Sequence, residues 1–107
     1  MVVLLALAVT GLHGVVMRGP TQPVCQVGQP CSAPAANVSL VFARHGHIAA
    51  RVRTDDRGTY SVQLQPGTYT VRVAPQPRIG SGLRPGRVSV VSGPAHRVNF
   101  FIDTGIR

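Results

Sequence analysis

The 107-residue chain contains no lysine and no tryptophan, and its only acidic side chains are Asp55, Asp56 and Asp103. General acid–base catalysis needs two titratable groups that converge on one spot with separated pKa values. Asp55 and Asp56 are adjacent, Asp103 is distant in sequence, and no Gly-x-Ser-x-Gly motif supplies a nucleophile. The sequence therefore predicts a protein that is not an enzyme and needs no cofactor.

Cysteine is also scarce, with only Cys25 and Cys31, which lie in a segment rich in proline and glycine. An even number of cysteines in a small β-domain predicts one disulfide and an oxidising compartment, with two free thiols as the alternative. A second cysteine pair that would complete a zinc site is absent. His45 and His47 are the best metal candidate, but Gly46 between them marks a hairpin tip, where both side chains would be solvated, so we predict no metal.

Basic residues are plentiful, since eleven arginines give the chain a net charge of +8. Such a charge attracts anionic partners, although a solvated face in a protein with a GC-rich compositional bias explains it equally well. Nucleic acid is not expected, because stacking aromatic residues are few and no recognition helix is visible. We expect an anionic cell-envelope polymer or an acidic protein instead. The candidate binding residues are Arg51, Arg53, Arg72, Arg78, Arg84 and Arg87.

The first nine residues form an apolar run that is too short to span a bilayer as a helix. The run is similar to the hydrophobic region of a secretory signal, and Ala6-Leu7-Ala8 supplies a small-x-small cleavage pattern, although no basic residue precedes it. A first β-strand is the alternative. We therefore divide the chain into an apolar segment, residues 1–10, and a domain, residues 11–107, and expect a secreted or envelope protein without a transmembrane span.

Residues 54–73 show the clearest pattern, in which two apolar trios alternate with polar residues on either side of Pro66-Gly67. A period of two places each trio on one face of a strand, and the Pro-Gly pair reverses the chain. Similar alternation predicts that Ile48, Ala50 and Val52 point inward. Residues 19–36 and 75–86 are predicted to be loops. The seven predicted strands are residues 11–18, 37–44, 47–53, 59–64, 68–73, 87–91 and 96–102.

Within residues 54–73 the spacing is Asp-x-x-Gly-x-Tyr-x-Val-x-Leu-x-Pro-Gly-x-Tyr-x-Val-x-Val, which begins at Asp55 and ends at Val73. This pattern resembles the carboxypeptidase regulatory-like domain, and the resemblance extends over residues 11–102. It implies an all-β, seven-stranded antiparallel Greek-key sandwich of the transthyretin-like type. Domains of this family are typically non-catalytic parts of secreted peptidases, adhesins and outer-membrane receptors. Related cell-wall sandwiches form a Lys–Asn isopeptide bond, which a chain without lysine cannot form.

The resemblance and the charge together predict a non-catalytic structural or binding module of an exported envelope protein. The alternative is a carbohydrate-binding module of the starch-binding-like sandwich type, which shares the general architecture. Sugar-binding surfaces usually present exposed aromatic rings, whereas Tyr60 and Tyr69 occupy core positions in the alternation. We therefore expect function in the cysteine-containing loop, residues 19–36, and in the arginine-containing loop, residues 75–86.

Overall fold

The computed structural model describes residues 10–21, 27–28, 31–74 and 82–104, and all regular structure in these residues is β-strand. The predicted all-β class is therefore confirmed. Within the same ranges, no helix has the length and apolar character needed to cross a membrane. The strands are β1 (Gly11–Gly19), β2 (Ala33–Pro34), β3 (Ser39–Arg44), β4 (His47–Arg53), β5 (Thr59–Gln63), β6 (Gly67–Ala74), β7 (Gly82–Arg84), β8 (Arg87–Val90), β9 (His96–Arg97) and β10 (Phe100–Asp103).

The strands form two sheets. One is antiparallel and has the order β4-β3-β6-β8. The other is built around β1, which pairs with β5 and β2 along one edge and with β9 and β10 along the other, while β7 lies beyond β10. β1 pairs in parallel with β9 and β10, so the prediction of a wholly antiparallel fold is wrong. These strands come from opposite ends of the domain, where no short hairpin imposes an antiparallel orientation.

One hydrophobic cluster contains side chains from both sheets. The ring of Phe42 on β3 lies 6.4 Å from that of Tyr60 on β5 and 6.3 Å from that of Phe100 on β10. Burying such rings is a major contribution to the stability of a small domain. Both apolar trios of residues 54–73 belong to this cluster, as their alternation predicted: Tyr60, Val62, Leu64, Tyr69, Val71 and Val73.

Three strand predictions differ from the structure. The short strands β2 and β7 occupy segments that were predicted to be loops, and the predicted final strand is divided into β9 and β10. β2 has two residues and β7 has three, which is too short for alternation to be visible in the sequence. The seven predicted strands therefore become ten in the described residues, and the two extra strands extend the sheet around β1.

The interruption between β9 and β10 follows from close packing against β1. The backbone N–H of Val98 donates to the carbonyl of His13, and the side-chain oxygen of Asn99 accepts from the backbone N–H of Val15. A Cβ atom placed on Gly14 would lie 2.2 Å from the carbonyl oxygen of Val98. Glycine at position 14 therefore permits the close approach, and an asparagine amide takes the place of a regular backbone partner.

The phase of β4 changes at Ala49. Phe42 pairs with Ala50, but the next residue of β3, Ala43, pairs with Ile48, so Ala49 is the extra residue of a β-bulge. The shift moves Ile48 to the outer face of the sheet, where 49% of its surface is exposed. The prediction that Ile48 points inward is therefore wrong, whereas Ala50 and Val52 pack against the core.

The turn between β4 and β5 is held by side chains at both of its ends. Thr54 is buried, and its hydroxyl donates to the carbonyl of Ala35 at 2.6 Å and accepts from the backbone N–H of Val38. One carboxylate oxygen of Asp55 accepts from the backbone N–H groups of Arg57 and Thr59, each at 2.9 Å. The other oxygen accepts from the Thr59 hydroxyl. The Asp55 side chain therefore caps this turn through the backbone N–H groups of Arg57 and Thr59, as aspartate commonly does in turns.

These bonds make the turn sensitive to acid. The hydroxyl and backbone N–H of Thr59, and then the backbone N–H of Arg57, lower the pKa of the Asp55 carboxyl. A carboxyl whose pKa is lower in the folded protein stabilises the fold above its unfolded pKa and loses this effect as pH falls through the folded pKa. We expect Asp55→Asn to destabilise the protein at pH 7, and the difference from wild type to shrink progressively as the pH falls below about 4.

Thermal unfolding of both proteins between pH 7 and pH 3 measures this difference. Asp56→Asn is the matched control, because the Asp56 carboxylate accepts a side-chain bond of 3.3 Å from Asn37 and none of the backbone bonds that Asp55 accepts. A gap between Asp55→Asn and wild type that stays constant down to pH 3 would contradict the assignment.

Candidate functional site

Four of the candidate arginines lie on the outer face of the four-stranded sheet. Arg51 on β4 and Arg72 on β6 both pair with Val41 on β3, so the three residues form one row across the sheet. Paired residues on neighbouring strands point to the same side, and Val41 lies opposite in phase to the core residues Leu40 and Phe42. Arg53 and Arg87 share this face, because they pair with Ser39 and Thr70. We call Arg51, Arg53, Arg72 and Arg87 the arginine face.

The arginine face has regular spacing. Arg51 and Arg53 are two residues apart on one strand, which separates their Cα atoms by about 7 Å. Arg51 and Arg72 lie on either side of β3, which separates their Cα atoms by about 10 Å. All four arginine side chains are exposed. The arrangement holds several guanidinium groups within reach of one extended anionic ligand.

One apolar side chain, that of Val41, lies between Arg51 and Arg72. Val41 has 0% of its surface exposed although it is not on the core side of β3, and its direct neighbours in the row are Arg51 and Arg72. Arginine side chains cover apolar surface with their methylene stems while the guanidinium groups stay in water. The pairing places the stems of Arg51 and Arg72 beside Val41, one on each side.

The four strands that form this face contain no acidic residue. Asp55 and Asp56 are in the turn between β4 and β5, Asp103 is in β10 of the other sheet, and the chain has no glutamate. Asp55 lines a cleft together with Arg53, but its carboxylate accepts from the backbone N–H groups of Arg57 and Thr59. The positive electrostatic potential of these four arginines extends into the solvent, where it attracts anions.

The other two candidate arginines do not join this face. Arg78 lies outside the described residues, so its role stays a prediction. Arg84 is on β7 of the other sheet, where its guanidinium carbon lies 5.6 Å from the centre of the Phe101 ring. Arg84 and Arg87 lie close together in sequence, at the end of the predicted loop and the start of the next predicted strand, but the structure places them in different sheets.

Arg44 is an ordered arginine that the sequence patterns did not identify. Its guanidinium carbon lies 5.7 Å from the centre of the Tyr69 ring, and its Nη1 donates to the carbonyl of Pro66 at 3.2 Å. The Tyr69 hydroxyl donates to the carbonyl of Gln65 at 2.6 Å. Stacking on a buried tyrosine occupies this guanidinium, so Arg44 closes one end of the core.

Two clefts open along β4. The first has a volume of about 430 Å³ and is bounded by His47 and Ala49 of β4 and by Gln63 at the end of β5. The second has a volume of about 410 Å³ and is bounded by Val52 and Arg53 of β4, by Asp55 of the following turn, and by Thr59, Tyr60 and Ser61 of β5. Both therefore lie where the edge of one sheet meets the edge of the other.

His45 and His47, the weak metal candidate, lie at the hairpin tip and at the first residue of β4, and both are exposed. His13 and His96 belong to β1 and β9 of the other sheet. Across the described ranges, no three side chains of His, Cys, Asp or Glu are grouped so that they could hold a metal ion. The turn itself explains His45, whose φ of 53° places it in the left-handed region beside Gly46.

The predicted disulfide involves a residue outside the described ranges, because Cys25 is not among them. Cys31 is half-buried, and its carbonyl accepts from the backbone N–H of Thr21 at 2.9 Å, which ties this segment to the end of β1. The Cys25–Cys31 pairing stays a prediction.

All five aromatic side chains of the protein are among the described residues. Four of them are buried, and Phe101 is half-buried beneath Arg84. A surface for sugar stacking needs an exposed ring, so the aromatic residues of this chain do not form one.

Comparison with known proteins gives no family assignment. No protein-family model matches the chain, and a search of curated proteins finds no relative. The resemblance to the carboxypeptidase regulatory-like domain therefore remains a prediction from the residues of the chain.

Proposed function

We propose that this protein is a non-catalytic binding module of an exported envelope protein, and that the arginine face contacts an anionic partner, either an acidic polymer or an acidic protein surface. One observation carries the proposal. Arg51 and Arg72 flank the buried Val41 in a single row, Arg53 and Arg87 share their face, and the strands of this face contain no acidic residue.

The arginine face combines fixed spacing with positive charge, and both properties favour binding of an anion. An exposed ion pair contributes little, because two mobile side chains must be fixed and salt screens the attraction. Several arginines on one rigid sheet reduce this cost, since the backbone already fixes their spacing. An extended anion can contact more than one guanidinium at the same time, which adds the small individual contributions.

We also propose the transthyretin-like, Greek-key form of the fold and its place among carboxypeptidase regulatory-like domains. The two turns and the apolar trios of residues 54–73 support this proposal, together with a core shared by two sheets. Export is proposed from the apolar run at residues 1–9 and from the expected disulfide, both of which depend on residues outside the described ranges. For the carbohydrate-binding alternative, no exposed aromatic ring provides support.

Binding of a polyphosphate of defined length, measured by calorimetry at several salt concentrations, tests the proposed function. We expect binding that weakens steadily as salt rises from 50 to 500 mM. Replacing both Arg51 and Arg72 with serine should weaken binding by about fivefold, which corresponds to about 1 kcal/mol for two exposed contacts.

The matched control replaces Arg18 and Arg97, which are exposed on β1 and β9 of the other sheet. This double variant has the same net charge as the first. Equal losses in the two variants would show that the polyanion responds to net charge alone, and the arginine face would then not be the binding site.

A further inference from the structure

β4 lies at one edge of the four-stranded sheet, and no described strand pairs with its outer side. Among the described residues, β4 is terminal in the order β4-β3-β6-β8 and pairs only with β3. Five of its seven residues are exposed, which makes it the most exposed of the longer strands. An edge strand presents unpaired backbone groups on which another chain can add a strand.

The register identifies which backbone groups face outward. In an antiparallel pair, residues that bond to the partner strand alternate with residues whose N–H and C=O groups point away from it. The N–H of Thr54 bonds to the carbonyl of Val38 on the β3 side, so Val52 and Ala50 also bond toward β3. Arg51 and Arg53 therefore direct their N–H and C=O groups to the open edge, and no described residue bonds to them there.

Arg51 and Arg53, whose backbone groups face the open edge, also carry the positive charge of β4. The side chains of Arg51 and Arg53 belong to the arginine face, while those of Ala50 and Val52 are partly buried against the core. A strand added beside β4 would place alternate side chains opposite the two arginines and the others beside Ala50 and Val52. Acidic residues complement the first set of positions, and small apolar residues complement the second.

We infer that the open edge of β4 binds an extended acidic segment of a partner protein, which adds a further antiparallel strand to the antiparallel four-stranded sheet. This inference rests on the proposed function and narrows its partner to a polypeptide in which acidic and apolar residues alternate. The contact is short, because the bulge at Ala49 limits pairing to residues 50–53. The binding is therefore expected to be weak and reversible.

A second copy of this chain does not fit the same edge. Two β4 strands paired edge to edge would bring Arg51 and Arg53 of one copy beside the same arginines of the other. Like charges directly across a strand pair are destabilising, and the nearest carboxylate, that of Asp55, already accepts from Arg57 and Thr59 of its own turn. The β5 edge carries the uncharged side chains of Thr59, Ser61 and Gln63, so it offers an acidic segment no charge complement.

The test uses the full chain and a seven-residue peptide of alternating glutamate and valine, with capped ends. We expect binding in NMR titrations that weakens with salt and that protects the amide hydrogens of Arg51 and Arg53 from exchange with solvent. The amide hydrogens of Ala50 and Val52 bond to β3 and should already be protected without peptide.

Two methylated peptides separate strand addition from charge attraction. Methylating the backbone nitrogen of each glutamate removes the N–H groups that would bond to Arg51 and Arg53, and should weaken binding by at least about tenfold. Methylating the valine nitrogens is the matched control, because these N–H groups would point away from β4, and should change binding by less than about threefold.

Each outcome decides between the two proposals. Equal binding of all three peptides, still weakened by salt, would overturn strand addition and leave the proposed function standing. Equal binding of a glutamine–valine peptide would overturn the acidic occupant. Absence of binding both to the peptides and to polyphosphate would overturn the strand-addition proposal and the proposed function together.

Discussion

Replacing Tyr69 with alanine is expected to lower the free energy of unfolding by about 3–5 kcal/mol. The Tyr69 side chain is 2% exposed, belongs to the cluster that the two sheets share, and lies beneath Arg44. Its removal leaves a cavity that the surrounding strands cannot fill and exposes the stem of Arg44 to water. Denaturation by urea, with the slope of the transition compared between proteins, measures the change.

Tyr69→Phe is the matched control for this substitution. Phenylalanine keeps the ring and its stacking with Arg44 but removes the hydroxyl that donates to the carbonyl of Gln65. The hydroxyl also accepts a long bond of 3.5 Å from Nη1 of Arg44, and its removal should cost about 1 kcal/mol, mainly through the bond to Gln65. A loss below about 1 kcal/mol for Tyr69→Ala would mean that the side chain is not a core anchor and that the assigned phase of β6 is incorrect.

Replacing Gly58 with alanine is expected to cost about 3 kcal/mol, for two separate reasons. The φ angle of Gly58 is 77°, which is unfavourable for a residue with a Cβ atom. A Cβ at this position would also lie 2.5 Å from the carbonyl oxygen of Val16, because the turn bonds directly to β1 through the Val16 N–H and the Gly58 carbonyl. Backbone atoms cannot move aside as a flexible side chain would.

Gly46→Ala separates the two reasons. The φ angle of Gly46 is 78°, nearly the same as that of Gly58, but no atom lies within 4 Å of the position that a Cβ would take. Alanine there should cost only the conformational part, about 1 kcal/mol. Equal losses for the two variants in thermal unfolding would show that the close approach to β1 does not contribute.

Local patterns in the sequence predicted the strands that have one buried face and one exposed face. Tyr60 and Val62 on β5 illustrate this, since burial of one face imposes a period of two that is visible in the chain. Alternation gives the wrong orientation for Ile48, because a bulge changes the phase of β4. The position of the bulge depends on pairing with β3 and is not visible in the sequence of β4. The pairing of β1 with β9 and β10 was also missed, since contacts between distant segments leave no local pattern.

The candidate site was predictable to a similar extent. The outward phase of Arg51, Arg53 and Arg72 could be read from alternation, and the structure places all three on one face. Their order across the sheet could not be read, because it depends on β3 lying between β4 and β6. Arg84 and Arg87 are three residues apart in sequence but belong to different sheets, so nearness in the chain was misleading there.

The parallel pairing of β1 with β10 has a consequence for the order of events during protein synthesis. Val16 pairs with Phe100, and Gly19 pairs with Asp103. β1 is the first of these strands to be synthesised, and it cannot complete this pairing until β10, the last strand, has been synthesised. Bringing segments this far apart together carries a large loop-closure entropy before any contact offsets it. We expect the hairpin of β3 and β4 to form early on the ribosome, while the other sheet is completed only after residue 103 has left the exit tunnel.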